Sequence, residues 1–159
     1  MNELHHLLRT RRSIRRFKPD PVPASVMERI LTTATYAPSA HNLQPWRFVH
    51  VKSLGAKEKL GKALTDKMRT DMEAEGAEQA QIEKRSKVSL RRIDEAPAII
   101  LLCRDEMAIR KEEPEELIMS IQSVALAGLQ LILAAQAEGL SSNWICWPLY
   151  AHKETINAL

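Results

Sequence analysis

The chain is 159 residues long, 45% hydrophobic and only 4% aromatic, with a formal net charge of +3. That length makes residues 1–159 one domain, able to bury about two-thirds of the surface its unfolded form exposes. Much of the positive excess falls within residues 9–18, which suits one anionic ligand and is too narrow for the stripe that tracks a nucleic acid.

Residues 3–10 read as a short helix with Leu4, Leu7 and Leu8 on one stripe, and His5 and His6 on its surface flank. Arg11-Arg12-Ser13-Ile14-Arg15-Arg16-Phe17 follows, with Ile14 and Phe17 as apolar anchors. In extended backbone Arg11, Ser13 and Arg15 share one face, a fork of donors suited to a phosphate. Pro19, Pro21 and Pro23 keep the chain extended, and Pro23 opens a helix over 24–36. Val26, Ile30 or Leu31, Ala34 and Ala37 give that helix its buried period, and Pro38 ends it. Pro38-Ser39-Ala40-His41-Asn42-Leu43-Gln44-Pro45-Trp46 is then a proline-bounded loop of small and amide side chains. Such a loop lets backbone come close to a planar polar ring. His41 is its one titratable side chain, with an ordinary pKa near neutrality. A role-free surface histidine is expected there, and a proton donor to a reduced acceptor is the alternative.

Residues 46–51 alternate as a strand with one covered face. Ser53 caps a charged helical region running to about residue 94, broken near Glu75 and Gly76. Arg91 and Arg92 close it. Residues 97–103 are continuously apolar, as in a strand buried on both faces. Residues 115–138 form the most hydrophobic helix, about 36 Å long, placed at the centre of the fold or of a dimer. Ser120, Gln122, Ser123, Gln130 and Gln136 interrupt its apolar run, so no membrane span is expected. Gly128 leaves room for a close neighbour and Gly139 stops the helix. Residues 140–147 read as a further short strand, and a last helix starts near His152. Cys103 and Cys146 lie far apart without C-x-x-C or metal-ligand spacing, so two buried free thiols are expected. With no signal-peptide core at the N-terminus, the cytoplasm is the expected location.

The arginine segment and the proline-bounded loop together resemble the nitroreductase family of flavin mononucleotide (FMN) oxidoreductases. Its members carry Arg-x-Ser-x-Arg-x-Phe, then Pro-Ser-x-x-Asn-x-Gln-Pro-Trp about two dozen residues later, and both are matched here in order. The resemblance implies an α+β, nitroreductase-like three-layer sandwich: a central, mostly antiparallel sheet flanked by helices, here with the last strand missing. It implies that Arg11, Ser13 and Arg15 hold the flavin phosphate and ribityl chain, with Arg12 contributing backbone and charge. Pro38, Ser39, Ala40 and Asn42 would lie along the ring from the partner subunit, with Gln44 ordering the loop or touching flavin. Arg92 would stand near the pyrimidine oxygens. Ser141-Ser142-Asn143-Trp144-Ile145 resembles the family's Gly-Leu-Gly-Ser-x-Trp-Ile stretch, which puts Cys146 and Trp147 where backbone faces the ring; the family commonly has glycine at one of them.

The implied activity is ping-pong: NADH or NADPH reduces the flavin, and a nitroaromatic, quinone or enone takes the hydride. The implied assembly is a homodimer with flavin at the subunit interface, binding neither nucleic acid nor membrane. The stretch from Gly139 onward is most similar to the branch related to deazaflavin-coenzyme glutamate ligases. That leaves a second reading, a non-catalytic flavin- or deazaflavin-binding module associated with such a ligase.

Overall fold

The computed structural model describes residues 2–159. In chain order they form α1 (Glu3–Thr10), α2 (Ala24–Ala34), a single 3-10 turn (Ala40–Asn42), β1 (Trp46–Val51), α3 (Leu54–Ala74) and α4 (Gln79–Glu95). Then come β2 (Ile99–Arg104), α5 (Pro114–Ala137), α6 (Trp147–Tyr150) and α7 (His152–Ala158). The chain is a predominantly helical α+β protein, and its strands form a two-stranded sheet among the described residues.

Local chemistry explains most of the boundaries. Asn2 Oδ1 accepts the Leu4 N–H at 2.8 Å to cap α1, and Ser53 Oγ accepts the Ala56 N–H at 3.1 Å to cap α3, the role expected of it. The break between α3 and α4 falls at Gly76, whose φ of 76° is left-handed and therefore costs glycine little. Gly139 ends α5 in the same way, at φ 75°. Helix α2 stops at Ala34, two residues short of expectation, because the chain tightens there: the Thr35 N–H reaches back to Leu31 and Thr32 carbonyls.

Two compact units divide the chain. The first holds the residues up to Ile14, Val22–His50 and Ile100–Asn143. Within it α5 packs on α2, with Ile30, Ala134 and Ala135 buried among Val26, Leu131 and Leu140. A second cluster joins Ala37, Trp46 and Ala127, flanked by Phe48, Leu102 and Val124. Trp46 and Phe48 thus share the covered face of β1, as the alternation required. The Asp105 N–H donates to Pro45 O at 2.7 Å, so the end of β2 lies beside the start of β1 and the two strands run antiparallel.

The second unit holds Arg15–Pro21, Val51–Ile99 and Trp144–Leu159. Its core is the α3–α4 hairpin, with Leu60, Leu64, Ile82 and Ile93 buried and α7 packed on α3. A Cβ on Gly61 would stand 2.9 Å from Leu90 Cδ1, so the helices meet closely at that glycine. Lys57 Nζ donates to the carbonyls of Asp94 at 3.1 Å and Ala96 at 2.7 Å, satisfying the C-terminal end of α4.

Three expectations need correction. Residues 140–147 form no strand: they make one parallel bridge, Ser142 with Ser13, before Trp147 and Pro148 begin α6. Proline cannot donate to a sheet ladder and suits the first turn of a helix. Strand β2 is half-buried along most of its length rather than covered on both faces, because among the described residues it pairs only with β1. Cys103 and Cys146 are free but exposed. Cys103 still has enough protein around it for desolvation to push its thiol above the ordinary value.

Candidate functional site

The loop between α2 and β1 departs most from relaxed backbone. His41, Asn42 and Gln44 have φ of 52°, 54° and 48°, left-handed values that asparagine tolerates and that cost other non-glycine residues about 1–3 kcal/mol each. Such a conformation persists only when its surroundings over-determine it. Inside the loop, the Asn42 N–H donates to Ser39 O at 3.1 Å and the Leu43 N–H to Ala40 O at 3.0 Å, while the Gln44 N–H donates to Ser39 Oγ at 3.1 Å. Gln44 Nε2 reaches Asn42 Oδ1 at 3.4 Å. From α5, Ser123 Oγ accepts the Ala40 N–H at 3.1 Å and donates its own proton to Met119 O at 2.7 Å. Ala40, Leu43 and Pro45 face Glu116, Met119, Ser120 and Ser123 across a gap with no room for a water molecule. These contacts tie the loop to α5 within the first unit.

The arginine segment is held differently. Arg12 Nη1 folds back on carbonyls of Arg9 and Arg11, each at 2.9 Å, so it closes the end of α1 instead of joining a fork of donors. Ser13 bridges to Ser142, and the Ile14 N–H donates to Ser142 O at 3.1 Å. That bridge keeps the segment extended, as expected, with Arg11 half-buried and the Ser13 residue exposed. Gln136 Nε2 ties α1 to α5 through Leu7 O at 3.0 Å.

Of the residues singled out, Arg11, Arg12, Ser13, Pro38, Ser39, Ala40, Asn42 and Gln44 belong to the first unit, and Arg15, Arg92, Cys146 and Trp147 to the second. Arg15 is exposed, and Arg92 is half-buried in the last turn of α4. Cys146 Sγ accepts from Trp144 Nε1 at 3.0 Å, and Trp147 opens α6. Arg16 pairs with Glu95 at 2.9 Å, so it serves its own unit.

Sequence reasoning missed Ser123 and Glu116, which lie behind the loop on α5, and Arg110, whose guanidinium stands 3.1 Å from His41 Nδ1. The two on α5 carried a signal: Glu116, Ser120, Ser123 and Ala127 recur at steps of four, three and four, one face of a helix. The aliphatics around them concealed it. As a donor set, guanidinium and hydroxyl on one segment with amides and close backbone on another fit a phosphate-bearing planar heterocycle.

The sequence model of the family described as "Nitroreductase family" matches residues 8–159. A 5,6-dimethylbenzimidazole synthase of Rhodospirillum rubrum is 32% identical over 146 residues, covering 89% of this chain and 68% of that protein. An NADH dehydrogenase of Thermus thermophilus is 53% identical over 53 residues, 33% of this chain and 26% of that protein. The first curated relatives are thus matched over less than a third of their own length. Among solved structures, a BluB-like flavoprotein from Clostridium difficile 630 superposes with TM-score 0.75 at 23% identity, covering 98% of this chain and 80% of that one. At that identity the likeness concerns the fold.

Proposed function

Since the chain belongs to the nitroreductase family, we propose that it is an FMN-dependent oxidoreductase passing hydride from NADH or NADPH to an electron-poor acceptor by a ping-pong mechanism. Nitroaromatics, quinones and enones are the acceptor classes. The observation that carries the reading is the family match from residue 8 onward, which takes in both the arginine segment and the strained loop.

Bound flavin supplies the hydride chemistry, so the protein needs no nucleophile or carboxylate pair of its own. Arg11, Ser13 and Arg15 would hold the phosphate and ribityl chain. Pro38, Ser39 and Ala40 would flank the ring, Asn42 would hydrogen-bond the ribityl chain or the ring edge, and Gln44 would order the loop. Arg92, Cys146 and Trp147 would approach the ring as the resemblance implies. Arg12 would contribute backbone and charge, in keeping with a guanidinium that closes α1. The reading also includes a cytoplasmic homodimer. Its support is the row of exposed aliphatics on α5, Leu117, Ile118, Ile121, Leu126 and Leu129, a surface that a second copy would cover.

The absorbance spectrum of the purified chain is the test. Paired bands in the blue and near ultraviolet, with NAD(P)H oxidation that needs an acceptor, support the reading; colourless protein that rejects added FMN overturns it. Arg11→Ala with Arg15→Ala should weaken FMN retention far more than Lys59→Ala with Lys62→Ala. Lys57 is unsuitable as a control because it caps α4.

A second reading is favoured by the relative named for 5,6-dimethylbenzimidazole synthesis, which is matched over most of this chain. On it the protein binds flavin without reducing an added acceptor, as a flavin- or deazaflavin-binding module also would. FMN binding without NAD(P)H turnover, with mass spectrometry for the benzimidazole, separates these from the first reading.

A further inference from the structure

The inference rests on the flavin reading of the loop and concerns what holds that loop in shape. Glu116, in the first turn of α5, is only 7% exposed. Its Oε2 accepts the Arg110 backbone N–H at 3.3 Å, and its Oε1 faces His41 Nε2 at 3.8 Å. Arg110 Nη1 stands 3.1 Å from His41 Nδ1 and 3.2 Å from His41 Nε2. An in-plane approach that close to both ring nitrogens would drive the guanidinium into Cε1. Arg110 Nη1 therefore lies over the face of the imidazole, where a cation is attracted to the ring, while the ring edge at Nε2 looks toward Glu116.

A buried carboxylate is costly, and the α5 N-terminus offsets only part of that cost. Glutamine would fill the same space without the charge, so stability alone does not call for glutamate. What the charge adds is a negative group 3.8 Å from the ring edge of His41, the side chain at the apex of the loop. His41 is the first of the two consecutive left-handed residues, and a ring gripped on its face and at its edge fixes that residue's backbone.

We propose that Glu116 and Arg110 are positioning residues that clamp the His41 imidazole, and so hold the left-handed His41–Asn42 backbone that presents Asn42 to bound FMN. Neither residue touches the cofactor.

The test compares full-length wild type, Glu116→Gln, Arg110→Ala, His41→Ala and the Glu116→Gln/His41→Ala double variant. Amide hydrogen exchange is read on cofactor-free protein, FMN affinity by fluorescence quenching, and the thermal midpoint beside both. Glu116→Gln should speed exchange across residues 39–44 by about fivefold while leaving α3 and α4 unchanged. It should weaken FMN by a similar factor, about fivefold, because fewer molecules hold the binding-competent loop, yet leave the thermal midpoint equal or higher. In the His41→Ala background the same substitution should add almost nothing.

Wild-type exchange rates in Glu116→Gln, or an equal effect with His41 absent, overturn the clamp. Wild-type protein that binds no FMN overturns the flavin reading instead, and the exchange data still decide the clamp. Should Glu116→Gln not fold, the exposed Arg110→Ala carries the same two measurements.

Discussion

The two faces of α5 show opposite economies. Its inner face is small and partly polar: Glu116, Ser120, Ser123, Ala127 and Gly128 are buried, Ala127 to 0% exposure. Its outer face carries the large aliphatics, among them Ile118, Leu129 and Ile121, the last 53% exposed. Hydrophobicity would have placed them the other way round. Small inner residues let α2 and the strained loop come close enough for a backbone N–H to reach a serine hydroxyl, and bulk there would hold the loop away. Size and hydrogen bonding choose the inner face, and the large aliphatics are left exposed on the outer one.

The largest expected effect is on the inner face. Ala127→Leu forces extra volume into a filled site and should cost about 1–3 kcal/mol or more, lowering the thermal midpoint by about 2–4 °C per kcal/mol. A midpoint unchanged in a melting scan would mean the inner face is loosely packed. Next, Ile118→Glu with Ile121→Glu should convert a dimer to a folded monomer, read by sedimentation with the circular dichroism unchanged. A variant that stays dimeric would remove the outer row from self-association.

Ser123→Ala strips the acceptor from the Ala40 N–H and should cost about 1–3 kcal/mol, with weaker FMN binding and melting as the two readouts. The smallest effect is at the far end of α5. A hydrogen bond from Arg29, aided by its charge, holds the Glu138 carboxyl below the ordinary carboxylate range. A depressed carboxylate stabilises above its unfolded-state pKa, and that contribution is lost as pH falls through the folded value. The thermal midpoint should therefore fall slightly as the pH is lowered below the ordinary glutamate pKa, less in high salt because the pair is exposed. Glu138→Gln should remove this contribution to the slope.

Much of the fold was legible in the chain. The 46–51 strand, the Ser53 cap, the Gly76 break and the Gly139 stop each rest on a local signal that tertiary contacts did not override. The 140–147 stretch was misread because apolar composition suits strand and coil alike, whereas Pro148 favours a helical turn. Of the candidate site, the two motifs and their likeness to a family were readable. The supports at Ser123, Glu116 and Arg110 were not, since they lie 69 to 83 positions from the residues they hold.

Sequence alone determined where elements start and stop, because proline geometry, glycine φ and side-chain caps act within a few residues. It also determined which residue types stand together in the two motifs. Only the tertiary structure decided which way α5 faces and how the loop is bent. A helix apolar nearly all round has no preferred side until close packing selects its small residues, and a left-handed backbone exists only where distant groups hold it.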